Sequence, residues 1–164
     1  MRINTSLAIR QPLVLEESVD FSTADYSASY SLKNIRDLRV KAVTTLVDTL
    51  FKIEVSLSCI LSLECAYSLE IFEQDLEIED VFYFSNNAED EDEDVYYEKG
   101  TFIDLDPYLF GLILAHIPLR VIKPGAKRPV SGDNFVVQTE EEYYQEREGM
   151  NNPFAELDLE DFID

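Results

Sequence analysis

Two cysteines and one histidine are the only thiol and imidazole groups in this 164-residue chain. The thiols, Cys59 and Cys65, bracket the stretch "SCILSLEC". A closed zinc site needs four ligands, with paired cysteines two to four residues apart. Here five residues separate the pair, and nothing in the spacing selects a carboxylate to complete a set. A catalytic thiol needs a neighbour that lowers its pKa, and His116 is the one imidazole on offer. It lies in the apolar run "FGLILAHIP", where a buried, hydrogen-bonded histidine is the plainer reading. Glu89 to Asp94 are six consecutive acids. A calcium loop alternates its ligands and turns on a glycine, so this run reads as solvated loop rather than metal site. No Gly-rich phosphate loop, G-x-S-x-G elbow or H-E-x-x-H pair occurs. No catalytic residue, metal ligand, cofactor or small-molecule substrate is expected, and the chain reads as a binding module rather than an enzyme.

Charge narrows the partners. Of 34 acids and 13 bases, residues 1–72 hold nine and seven, which leaves residues 73–164 a net charge of −19. Nucleic-acid affinity comes largely from Lys and Arg displacing counterions, so this balance argues against autonomous, tight nucleic-acid binding. A basic protein partner suits the field better. The bases cluster at Lys33, Arg36, Arg39 and Lys41, and at Arg120, Lys123, Lys127 and Arg128. They are candidate RNA contacts, against the plainer reading that they offset neighbouring acids and keep strand edges soluble. No apolar run reaches the roughly 18 residues of a membrane span, and "MRINTSLAIRQP" lacks a secretory apolar region. A cytosolic location is expected, where reducing conditions disfavour a disulfide.

The elements that would position these groups are partly readable. "PLVLEESVDFS" is a short extended piece and "STADYSASYS" a loop. "LRVKAVTTLV" reads as a strand, with Asp48-Thr49 as a turn. Phe51, Ile53, Val55, Leu57 and Cys59 then alternate with polar residues, the period of a strand with one face in the core. Cys59 closes that strand, "SCILSLEC" supplies a short connection, and Cys65 opens the next strand. Tyr67, Leu69 and Ile71 give way to Leu76, Ile78, Phe82 and Phe84, a change of parity that predicts a β-bulge between Phe72 and Asp75. "GTFIDLDPYLFGLILAHIPL" predicts a helix over Ile103–Leu119, with Asp106 as N-cap, Pro107 at its first position and Pro118 ending it. It is apolar nearly all round, so burial is expected. "FVVQ" reads as a short strand, and Thr139 with Glu142 has capping-box spacing ahead of a helix that Gly149 closes. The whole reads as one α+β domain over 1–164. Its core is an antiparallel β-meander, a small sheet or partly closed barrel, packed by one buried apolar helix. A second, C-terminal helix, an acidic loop at 85–99 and an acidic tail at 149–164 complete it.

Four stretches together resemble the YceD family, bacterial and plastid proteins described as large ribosomal RNA subunit accumulation factors. These are "PLVLEESVDFS", "VSLSCILSLECAYSLEI", "GTFIDLDPYLFGLILAHIP" and "NNPFAELD". The signature residues they carry are Cys59 and Leu63; Gly100, Ile103, Asp104, Leu105, Pro107 and Pro118; and Asn152, Pro153, Ala155 and Leu157. Relatives often have Cys-x-Arg-x-Leu at the first of these sites. Here Leu61 replaces that Arg and Cys65 stands where many have Pro, so no role of the Arg or of a family zinc site carries over. The resemblance implies a non-enzymatic ribosome-biogenesis factor supporting accumulation or processing of large-subunit (23S) ribosomal RNA. A basic ribosomal protein or an rRNA-processing factor is the implied partner, with precursor rRNA reached indirectly. The competing readings are a metal-dependent RNA-processing enzyme using clustered carboxylates such as Asp104 and Asp106, and an acidic nucleic-acid mimic.

Overall fold

The structure, a computed structural model, describes residues 1–27, 29–90, 92 and 94–148. The signature residues Asn152, Pro153, Ala155 and Leu157, the tail at 149–164 and Gly149 lie outside the described residues. The chain divides into two compact units, Met1–Ala126 and a second beginning at Lys127.

The first unit is mostly sheet. Its elements are β1 (Arg2–Asn4), α1 (Thr5–Ala8), β2 (Leu13–Ser18), β3 (Leu32–Val47), β4 (Leu50–Glu64), β5 (Ile71–Ser85), β6 (Val95–Tyr97), β7 (Phe102–Asp104) and α2 (Asp106–His116), with a 3-10 turn at Ala88–Asp90. Strands β2 to β5 form the expected antiparallel meander, and β6 adds parallel to β5 in the order β2-β3-β4-β5-β6. The sheet does not close into a barrel. A separate pair, β1 with β7, sets Ile3 opposite Ile103, both buried. Four of the elements, β1, α1, β6 and β7, are too short to leave a periodic trace in the sequence.

Alternation governs β4 over its full length. Phe51, Ile53, Val55, Leu57, Cys59, Leu61 and Leu63 are all buried, and Cys65 just beyond the strand is too. Each of the Val, Leu, Ile and Phe side chains among them contributes about 1.5–3 kcal/mol by leaving water. "SCILSLEC" is therefore not a connection between two strands. It is the last stretch of one strand, and the chain reverses afterwards, where the Cys65 amide donates to the Glu70 carbonyl at 2.9 Å. The expected bulge between Phe72 and Asp75 is also absent. The β4–β5 register runs unbroken from Glu64↔Ile71 to Phe51↔Phe84. On β5 the even positions Phe72, Leu76, Ile78, Phe82 and Phe84 pack on the core while Gln74 and Asp80 are exposed; Leu69 and Ile71, which suggested the other parity, are exposed at 70% and 62%. The register shifts fall on β3 instead, between Leu32 and Asn34 and between Arg36 and Arg39, where Asp37 takes φ +51°. The β3–β4 turn does use Asp48, at φ +55°.

Helix α2 starts later than the sequence suggests, because Ile103 belongs to β7. Leu105 is its N-cap, and the Asp106 carboxylate, expected to cap, pairs with the Met1 ammonium. The helix is buried along one side only: Leu109, Leu112 and Ile113 are in the core while Gly111, Ala115 and His116 are exposed. Tyr108 packs edge-on to Phe84 at 4.9 Å, and Phe110 to Phe21 at 5.4 Å. The segment read as a solvated acidic loop contains β6, held because Tyr96 stacks with Phe84 at 5.5 Å and Tyr108 at 4.8 Å.

In the second unit, α3 (Glu140–Glu148) starts with the reciprocal cap its sequence spells. The Glu142 amide donates to Thr139 Oγ1 at 3.1 Å, and the Thr139 amide donates to Glu142 Oε2 at 2.8 Å. "FVVQ" is not a strand. Only an isolated bridge joins Phe135 to Gly132, and the Val137 amide donates to the Ser131 hydroxyl at 2.9 Å.

Candidate functional site

The two thiols have opposite surroundings. Cys59 faces the core opposite Leu76, and burial pushes its pKa up to about 11. Cys65 sits at the head of the β4–β5 turn, drawn there by three backbone bonds. Its amide donates to Glu70, its carbonyl accepts from Leu69, and the amide of Ala66 donates to Val121 at 2.8 Å. The sulfur accepts from the Tyr67 amide at 3.4 Å and from the Lys123 amide at 3.3 Å. The Ser68 side chain first, then the Lys123, Ser68 and Tyr67 amides, hold its pKa down to about 7, while burial acts the other way. Cys65 is thus the more ionisable thiol, with a sheath of donors and no imidazole. His116 lies on α2, where its Nδ1 is 2.9 Å from the Leu112 carbonyl; it is exposed rather than buried. No cluster of three His, Cys, Asp or Glu suited to a metal ion occurs among the described residues.

The signature residues around α2 hold the backbone in place. Gly100 takes φ +116°, a conformation L side chains rarely adopt, as the chain turns into β7. Ile103 and Leu105 are core residues, and the Asp104 carboxylate accepts from the Asp106 amide at 3.2 Å and from Arg2 at 3.4 Å. Pro107 sits in the first turn of α2, and Pro118 follows its C-cap, Ile117. Leu63 is buried in β4.

Most of the candidate RNA contacts are already engaged with acids, an aromatic ring or a carbonyl. Arg36 pairs with Glu73, Lys33 with Glu64 at 3.1 Å, Lys41 with Glu16 at 3.4 Å and Lys123 with Glu70 at 3.0 Å. Arg120 lies over the Tyr67 ring at 4.8 Å. Arg128, in the second unit, bonds Glu142 at 2.8 Å and the Val137 carbonyl at 2.9 Å. Arg39 and Lys127 make no ion pair among the described residues.

Arg39 instead borders a shallow groove of about 550 Å³ crossing the polar face of the sheet. The register sets Arg39 beside Ser58 and Ser58 beside Glu77, and likewise Lys41, Ser56 and Glu79. Strands lie about 4.8 Å apart, so Arg39 and Lys41, with Glu16 and Glu17 beside them, stand roughly 10 Å from Glu77 and Glu79 across a floor of two serines. No single stretch of sequence announces this groove, because its residues come from four strands. The Cys65 site was missed for a similar reason, since Lys123 reaches it from 58 residues away.

Fold and surface together define an acidic α+β protein with an exposed polar sheet face. Within that class, the chain belongs to the family described as "Large ribosomal RNA subunit accumulation protein YceD", whose model matches residues 53–160, well over half of the chain. The match opens inside β4, so the "PLVLEESVDFS" stretch lies outside it. No curated protein and no solved structure matches the chain. The family's description connects its members with accumulation of large-subunit ribosomal RNA.

Proposed function

We propose that the chain is a non-catalytic, cytosolic ribosome-biogenesis factor that supports large-subunit rRNA accumulation by binding a basic protein, a ribosomal protein or an rRNA-processing factor. The observation that carries this reading is how its charge is deployed. Residues 73–164 hold a net −19, and on the sheet face three of the four bases on β3, Lys33, Arg36 and Lys41, are already paired with acids. A phosphate backbone meets net repulsion there, and a cationic protein meets attraction. Asp104 and Asp106, the pair that a carboxylate-based nuclease would use, are engaged with Arg2 and the Met1 ammonium. Their geometry suits fastening β1 to the start of α2.

Recovery of the tagged chain from cells, at low and high salt and with and without ribonuclease, tests the reading. A basic ribosomal or rRNA-processing protein should be recovered at low salt after nuclease treatment and be lost at high salt. Recovery of rRNA without any protein partner contradicts it.

A further inference from the structure

Strand β5 is paired with β4 from Ile71 to Phe84, but on its other side β6 covers only Tyr83–Ser85. Within the Met1–Ala126 unit, residues 71–82 form an open sheet edge among the described residues. Alternate residues there direct N–H and C=O groups away from β4. At about 3.3 Å per residue, the edge extends roughly 36 Å, longer than most strands.

Exposed edges are ordinarily blunted by lysine, proline, bulges or shortness. The stretch "IFEQDLEIEDVF" has no Lys, Pro or Gly, and its register has no bulge. What guards it is chiefly negative charge: Asp75, Glu77 and Glu79 are exposed along the polar face beside Glu73, which pairs with Arg36, and the Asp80 carboxylate accepts from the Val81 amide at 2.7 Å. That protection is selective. A second copy of the chain would set like charges opposite one another, which is destabilising. An incoming cationic strand would be attracted. On the other face of the same edge lie Phe72, Leu76 and Ile78, with the exposed Gln74 and Asp80 among them, so a strand added there meets acids on one side and a largely apolar surface on the other.

We propose that the free edge of β5 takes up an extended segment of a partner protein, alternating basic and apolar residues, as an added strand. This rests on the reading of the chain as a binder of basic protein and names where and how it binds. Main-chain hydrogen bonds supply attachment, and the alternation supplies register and selectivity.

The test uses the whole chain and two peptides of one composition. One alternates Lys and Val and is long enough to run from Phe72 to Asp80; the other carries the same Lys residues in a block before the Val residues. The alternating peptide should bind about tenfold more tightly than the block peptide. Hydrogen exchange should slow at amides within residues 71–82. Glu77→Lys combined with Glu79→Lys should abolish that difference, and Glu77→Gln with Glu79→Gln, a milder pair at the same exposed positions, should reduce it. Circular dichroism checks that both variants fold. Equal binding of the two peptides, or binding without new protection in 71–82, overturns the proposal, as does a dimer that occupies the edge. If a basic partner is still recovered from cells by the Glu77→Lys, Glu79→Lys variant, this edge is not its site and the wider reading survives. If no basic protein is recovered by the unaltered chain, the wider reading falls as well.

Discussion

The two sulfur atoms sit six positions apart, one within β4 and one at the head of the turn that follows, and their environments drive their pKa values in opposite directions. Cys65, held down to about 7, is ionised in the folded chain at pH values where the unfolded thiol, with an ordinary value near 9, is still protonated. Its contribution to stability is therefore complete above about 9 and is lost as pH falls through about 7. Cys59, pushed up to about 11, does the reverse: unfolding is favoured as pH rises from about 9 towards 11, because the unfolded thiol ionises first. Denaturant unfolding measured across this range should show a gain from pH 7 to 9 that Cys65→Ser removes, and a loss above 9 that Cys59→Ala removes. Cys59→Ala should itself cost about 1 kcal/mol at neutral pH through the cavity it leaves. A third residue is informative for the opposite reason. The Thr44 hydroxyl is buried and finds no hydrogen-bond partner among the described residues. Thr44→Val should stabilise the chain by about 1 kcal/mol, read as a rise in the denaturation midpoint with an unchanged slope.

At the scale of elements, the strongest prediction concerns the end of β4. A connection at "SCILSLEC" would leave Leu61 cheap to replace, whereas a strand running through it makes Leu61 a core residue. Leu61→Ala should cost about 2–5 kcal/mol, and Ser62→Ala less than about 0.5 kcal/mol, by denaturant unfolding. In α3, Thr139→Ala removes half of the reciprocal cap and should cost about 1 kcal/mol of helix stability, seen as lost helical circular dichroism. Elements with an uninterrupted period were readable from the residues: β2, the second half of β3, most of β4, the core of α2, and the capped start of α3. The first half of β3 was not, because its two register shifts space the inward residues Leu32, Ile35 and Leu38 three apart, which is not a strand's period. The turn after Cys65 is hidden in the sequence because Leu69 and Ile71 continue the apolar pattern while lying exposed to water. Of the candidate site, the charge was visible at once. The groove, the thiol's donors and the open edge depend on pairing between distant residues, which a linear pattern does not contain.

Two properties of the whole molecule meet in this function, membership of a family connected with large-subunit rRNA accumulation and a net charge of −21. Binding to the partner should weaken as salt rises, since exposed charges are screened beyond about 8 Å at physiological ionic strength. The direct measurement is the ratio of large- to small-subunit rRNA in cells from which the gene has been deleted. Those cells would carry the unaltered chain, the Glu77→Lys, Glu79→Lys variant, or an Asp104→Asn, Asp106→Asn variant that remains folded. The account predicts that the unaltered chain and the Asn variant restore the ratio, because the acidic face acts through binding and the two aspartates are structural. Failure of the folded Asn variant, together with full restoration by the charge-reversed one, would contradict it.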